Sequence, residues 1–161
     1  ILWVGVHSNI PPLAAWLHQH PLSRPLCVLT NHDPVQPSEW GFPAKQSITL
    51  ERWSVERHHS ILNEVSAALD IKGDDFRSRH KPPTKALDFL ASGLPFAIPR
   101  TSCVAEYLMQ WGFRVADPSD EPTWFSSDYA ASCKQFAKSI RPTLSQDNMA
   151  EQWVKLLSSY H

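Results

Sequence analysis

Lys81, Thr84, Lys85 and Asp88 recur at i, i+3, i+4 and i+7, the spacing that puts four side chains on one stripe of a helix. Ala86, Leu87, Leu90 and Ala91 fall opposite them, so the segment reads as a helix with one apolar and one polar side. Arg79 and His80 stand just upstream, and with Lys81 and Lys85 they bring four potentially cationic side chains to the helix start. Free backbone N–H groups and the macrodipole favour an anion at such a start, and a diphosphate suits this cationic collar. Asp88, one turn further in, is spaced to accept hydrogen bonds from two neighbouring ribose hydroxyls. The same spacing equally describes a solvated face on which Lys85 and Asp88 form an ion pair and Thr84 caps the helix.

Other chemistries find less support. Of the eight histidines, His58 and His59 are adjacent, point to different helix faces and lack an HExxH context, so no metal is expected. His18 and His20 close a helix, where capping accounts for them. The chain has no G-x-S-x-G elbow and no P-loop. With five glycines and no G-x-G-x-x-G after the first strand, neither a nicotinamide nor a flavin is expected, and no other cofactor. Cys27, Cys103 and Cys133 are odd in number and form no CxxC, which argues against a disulfide framework or a zinc site and for a reduced, cytoplasmic setting. Cys103, at a helix start, reads as a small buried residue.

The elements that must hold the cationic stripe alternate along the chain. Residues 1–6 form a continuously apolar run followed by the polar turn His7-Ser8-Asn9, as expected of a central strand buried on both faces. Pro11 and Pro12 suit a helix's first turn, and Leu13, Trp16 and Leu17 give it an apolar stripe. Strands are expected at 26–30 and 47–51, separated by a Pro-rich surface loop at 33–43. Ser54 can cap a helix with apolar positions Val55, Leu62, Val65 and Leu69, and 67–71 reads as the next strand, its end made polar by Asp70 and Lys72. A charged loop leads to the helix 84–92, ended by Gly93. Strand 95–99, a helix carrying Val104, Tyr107, Leu108 and Trp111, and strand 113–116 follow. Helices at 121–140 and 145–160 close the chain, the last with Met149, Trp153, Leu156 and Leu157 on one face.

This alternation predicts an α/β fold: a three-layer, Rossmann-like, doubly wound parallel sheet of about six strands with helices on both faces. Ligands of such sheets bind outside the carboxyl ends of the strands, which directs attention to the loops after Val6, Thr30, Glu51, Ile71 and Ile98. At 161 residues, 18.3 kDa and 42% hydrophobic content, residues 1–161 are expected to form a single domain. Fifteen basic against sixteen acidic residues leave no broad footprint for nucleic acid or anionic lipid, and no stretch approaches the ~20 apolar residues of a membrane span. The chain opens at Ile1 inside an apolar run, which reads as a segment of something longer.

Residues 81–98, Lys-Pro-Pro-Thr-Lys-Ala-Leu-Asp-Phe-Leu-Ala-Ser-Gly-Leu-Pro-Phe-Ala-Ile, resemble the GT-B glycosyltransferase segment that reads roughly K-P-x-N-K-x-x-E-Y-x-A-x-G-x-P-V-I. Element order is similar over nearly the whole chain: 1–9 resembles the first strand and loop of that family's C-terminal domain, 69–72 the strand before its donor helix, and 153–157 its closing helix. The resemblance, closest to the family 1 and family 4 type, implies the nucleotide-sugar-binding half of a two-domain hexosyltransferase whose N-terminal acceptor domain is missing here. By it Arg79, Lys81, Thr84 and Lys85 bind the donor diphosphate, with Arg79, Lys81 and Lys85 steadying the leaving group, and Asp88 binds the ribose. The loop Glu51, Arg52, Trp53 and Ser54 holds the base, with Trp53 as a wall, although in a chain of seven tryptophans Trp53 reads equally as core packing. Gly5, His7, Ser8 and Asn9 lie where the first-strand loop approaches the diphosphate, although Ser8 and Asn9 also read as caps of the following helix. His80 stands where retaining members carry a first acidic residue; a catalytic contact to sugar or phosphate is what its place implies, and it departs from the family's carboxylate. The alternatives are a Rossmann-like interaction or regulatory module that has lost the donor site, and a small-molecule hydrolase on the same sheet.

Overall fold

The computed structural model describes residues 1–73 and 75–158; the expected apolar positions Trp153, Leu156 and Leu157 lie outside the described residues as far as their side chains are concerned. Five parallel strands, β1 (Leu2–Gly5), β2 (Leu26–Thr30), β3 (Ile48–Arg52), β4 (Ala68–Leu69) and β5 (Phe96–Ala97), form one sheet in the order β3-β2-β1-β4-β5. β1 is central, as its unbroken apolar run requires. Leu2 and Trp3 are fully buried, and its register runs from Leu2 opposite Cys27 to Gly5 opposite Thr30. β3 is less buried, with Leu50 inside while Thr49 and Arg52 are exposed, as its place at the edge of the sheet allows. The chain leaves β1 for β2 on one side and reaches β4 on the other, so the switch point lies between β1 and β4.

The expected sixth strand at 113–116 is reduced to one parallel bridge, Ala97 to Ala116. Its cause is a side chain: the Tyr129 hydroxyl donates to the Phe96 carbonyl at 2.6 Å and accepts the Ala116 N–H at 3.0 Å, replacing ladder bonds a strand would make. The flanking helices are α1 (Ile10–Gln19), α2 (Val55–Ile61), α3 (Phe76–Arg79), α4 (Thr84–Ala91), α5 (Cys103–Gln110), α6 (Glu121–Trp124), α7 (Ser127–Ile140) and α8 (Gln146–Ser158). α6 and α7 divide the single helix expected at 121–140, because Ser126 turns extended and its hydroxyl caps α7 by accepting from Tyr129 N–H. Ser54 caps α2 as expected, accepting from Arg57 N–H, but the inward face is His58 and Ile61, whereas Val55 is half exposed. α4 ends at Gly93, whose φ of 72° is the left-handed conformation a helix C-terminus favours in glycine. No described helix is long and apolar enough to cross a membrane.

Candidate functional site

A cavity of about 360 Å³ opens at the carboxyl ends of β1, β2 and β3, beside the switch point. Its floor is Val4, Gly5 and Val6, the end of β1 and the residue after it. Its walls are Asn9, Asn31 and Trp53 from the loops after β1, β2 and β3. Lys72, Lys81 and Lys85 complete it from the opposite side of the switch point. That volume falls within the range of small-molecule sites, and the placement is the one open parallel sheets use.

The lysines are organised around a buried carboxylate. Asp70, 2% exposed, directly follows β4 and takes Lys85 Nζ on Oδ1 at 2.9 Å and Lys72 Nζ on Oδ2 at 3.0 Å. Lys85 also donates to the Val4 carbonyl at 2.7 Å and lies 5.7 Å over the Trp3 ring, within cation–π range. Two of the three Lys85 protons are thereby committed, and Lys72 commits one. Lys81, which precedes α4, has no partner among the described residues and faces the cavity with its full charge. Three ammoniums against one carboxylate leave two positive charges in excess.

The remaining polar groups also donate. Asn31 Oδ1 accepts the His7 N–H at 2.8 Å, which leaves its NH₂ for the cavity, and Asn9 makes no side-chain cap bond to α1. The cap role read for Asn9 therefore yields to a place on the cavity wall. α1 itself brings no amide donor: Ile10 N–H is taken by the His7 carbonyl, and Pro11 and Pro12 have none. Side chains rather than a helix N-terminus must hold an anion on this side. Gly5 is required by packing, since a Cβ there would stand 2.3 Å from the fully buried Trp3 ring, which donates Nε1–H to the Ile71 carbonyl at 3.0 Å.

Of the residues read from sequence, Gly5, Asn9, Trp53, Lys81 and Lys85 thus meet at one cavity. Arg79 lines a smaller neighbouring cavity of about 50 Å³. His80 is exposed, its Nδ1 2.7 Å from the Phe76 carbonyl and its ring stacked on Phe76. Thr84 is exposed and makes no cap bond, and Lys85 pairs with Asp70 instead of Asp88. Asp88 instead accepts from His58 Nε2 at 2.6 Å, with His58 nine-tenths buried and its Nδ1 lacking a partner among the described residues.

The base-loop residues divide similarly. Trp53 is 43% exposed, and its backbone N–H donates to the Thr30 carbonyl, so its indole is available on the rim. Glu51 is committed to Arg57, which lowers its pKa, and accepts from the Cys27 thiol, which burial and Glu51 push up to about 12. Arg52 pairs with Asp33 on the surface, and Ser54 is spent on its cap. His7 and Ser8 are exposed, and the His7 ring meets His32 and Trp40. Lys72 and Asn31 were not singled out as site residues; the polar strand end Asp70 to Lys72 was the available signal for the first. No family model, curated protein or solved structure matches this chain.

Proposed function

We propose that the cavity binds the diphosphate of a nucleotide sugar and that the chain is the donor half of a glycosyltransferase, its acceptor held by a further domain. The observation that supports this reading best is the convergence of Lys72, Lys81 and Lys85 on one cavity, with the Val4 carbonyl and the nearby Asp70 carboxylate already taken by Lys85 and Lys72. A donor-lined pocket with two excess positive charges selects an acceptor-rich dianion. Charge accumulating on a departing diphosphate would be met by Lys81 and by the last Lys85 proton, and Lys85 is held for it beforehand by Asp70 and the Val4 carbonyl, which is where electrostatic catalysis has its effect. Trp53 on the rim offers a flat apolar surface for a base.

Titration with UDP, GDP and ADP tests this directly. Saturable binding of at least one is expected, with Lys81→Ala raising its Kd about tenfold or more, the effect of losing one charge-assisted contact. Lys81 has no structural partner among the described residues, so that variant should unfold at the wild-type temperature. Failure of all three nucleotides to bind would overturn the reading. It would favour a regulatory or interaction module without a donor site, for which the engagement of Asp88 by His58 and of His80 by Phe76 already speaks.

A further inference from the structure

Lys72 lines two cavities, the large cleft and the neighbouring one of about 50 Å³ at the ends of β4 and β5. Its side chain is one-tenth exposed and gives one proton to Asp70 Oδ2, so two remain at the boundary between the two spaces. Beyond it the small cavity is lined by Arg79, Thr101 and Ser102. Ser102 is nine-tenths buried and accepts the Val104 N–H at 3.3 Å, while its own hydroxyl proton has no acceptor among the described residues. The Thr101 hydroxyl is equally without one. Among the described residues, both Asp70 oxygens hold lysines, and Asp75, held below the usual carboxylate range by the Ser78 hydroxyl, is turned to that serine. The space, about 50 Å³, has room for a compact anionic group such as a carboxylate or a phosphoryl group.

We propose that the ligand is bipartite and that this second cavity takes a second anionic group, a carboxylate or phosphoryl carried by the glycosyl end, while the first phosphate lies against Lys81 and Lys85. The inference rests on the diphosphate reading of the large cleft. A hydroxyl proton buried without an acceptor is costly, as at Ser102, and an anion beside Lys72 would accept it together with that of the exposed Thr101. The donor class that follows is an acidic glycosyl group, in contrast to a neutral hexose.

Glycosyl phosphates test this without assuming a base. Glucose 1-phosphate, glucuronate 1-phosphate and glucose 1,6-bisphosphate are titrated at equal ionic strength, alongside UDP, GDP and ADP, into the wild type, Thr101→Val and Ser102→Ala. At least one acid-bearing probe should bind about tenfold more tightly than glucose 1-phosphate, in line with one added charge-assisted contact. Which of the two does so distinguishes a carboxylate from a phosphoryl group. The advantage should shrink to about twofold or less in both variants, with nucleoside diphosphate binding unchanged. Thr101 is exposed, so its variant remains a fair test even where loss of the Ser102 cap loosens α5. Equal affinities for the three glycosyl phosphates, or an advantage that survives both substitutions, overturn the bipartite ligand and leave the diphosphate reading standing. Absence of binding by every probe overturns both.

Discussion

At Asp70 two ammoniums converge from different elements, Lys72 from two residues downstream and Lys85 from the first turn of α4. A carboxylate 2% exposed is stable only with such partners, and removing it leaves Lys72 buried with an uncompensated charge. Asp70→Ala should therefore destabilise the fold by roughly 3 kcal/mol, read as a shift in the urea midpoint without a change in slope. An unchanged midpoint would mean that the lysines rest on water rather than on Asp70. Lys85 could be found from its place in the first turn of α4, and Lys81 from its nearness to that helix start, although it lies outside the helix and shares no face with it. The partner of Lys85 could not: Asp88 lies three residues away on the same face of α4, yet the ammonium turns to a strand end fifteen residues back, a contact set by sheet position. The engagement of Asp88 by His58, from a helix thirty residues upstream, was hidden for the same reason.

Elements show the same limit one level up. Short continuous apolar runs announced β1 and β2, and Ser54 and Gly93 marked a helix start and a helix end, since these signals are local. The inward face of α2 and the loss of the sixth strand were decided by partners elsewhere in the chain, Tyr129 above all. β3 and α2 are joined by such a partnership: Arg57 bonds Glu51 on the strand and Glu64 beyond the helix. The Arg57 guanidinium, through its hydrogen bond, lowers the Glu51 pKa from the ordinary 4.5. A pKa lower in the folded than in the unfolded chain gives stability that is complete above the ordinary value and is lost as pH falls through the folded one. Glu51→Gln should thus be less stable than the wild type by about 1 kcal/mol at pH 7, a discounted figure for a pair that water still reaches, and the difference should close towards pH 3. Urea unfolding of both proteins at pH 7, 5 and 3 measures it; a gap that is constant with pH would remove the ion pair as its cause.

For the molecule as a whole, the cavity matters because of where its walls originate. Val4, Asn31 and Trp53 belong to the β3-β2-β1 side of the sheet, Lys72, Lys81 and Lys85 to segments beyond the switch point, and β1 joins β4 through a single register pair, Leu2 to Ala68. The α/β alternation was legible from strand and helix periods, and so were the strand-end loops at which such sheets bind ligands; the strand order, and with it the switch point between β1 and β4, was not, because pairing across a sheet is not local in sequence. An anion bound there contacts both sides and so favours the folded chain over the unfolded one, which keeps the lysines but scatters them. Linkage sets the size of that effect: a nucleoside diphosphate at a hundredfold its Kd adds about 2.7 kcal/mol, which in a chain of this length raises the unfolding midpoint by roughly 5–10 °C. Thermal unfolding with rising ligand should follow that logarithmic course in the wild type, with Lys81→Ala needing about tenfold more ligand for the same shift. If that variant gained the same stabilisation at the same ligand concentration, the anion would have to lie outside the cavity lined by Lys72, Lys81 and Lys85.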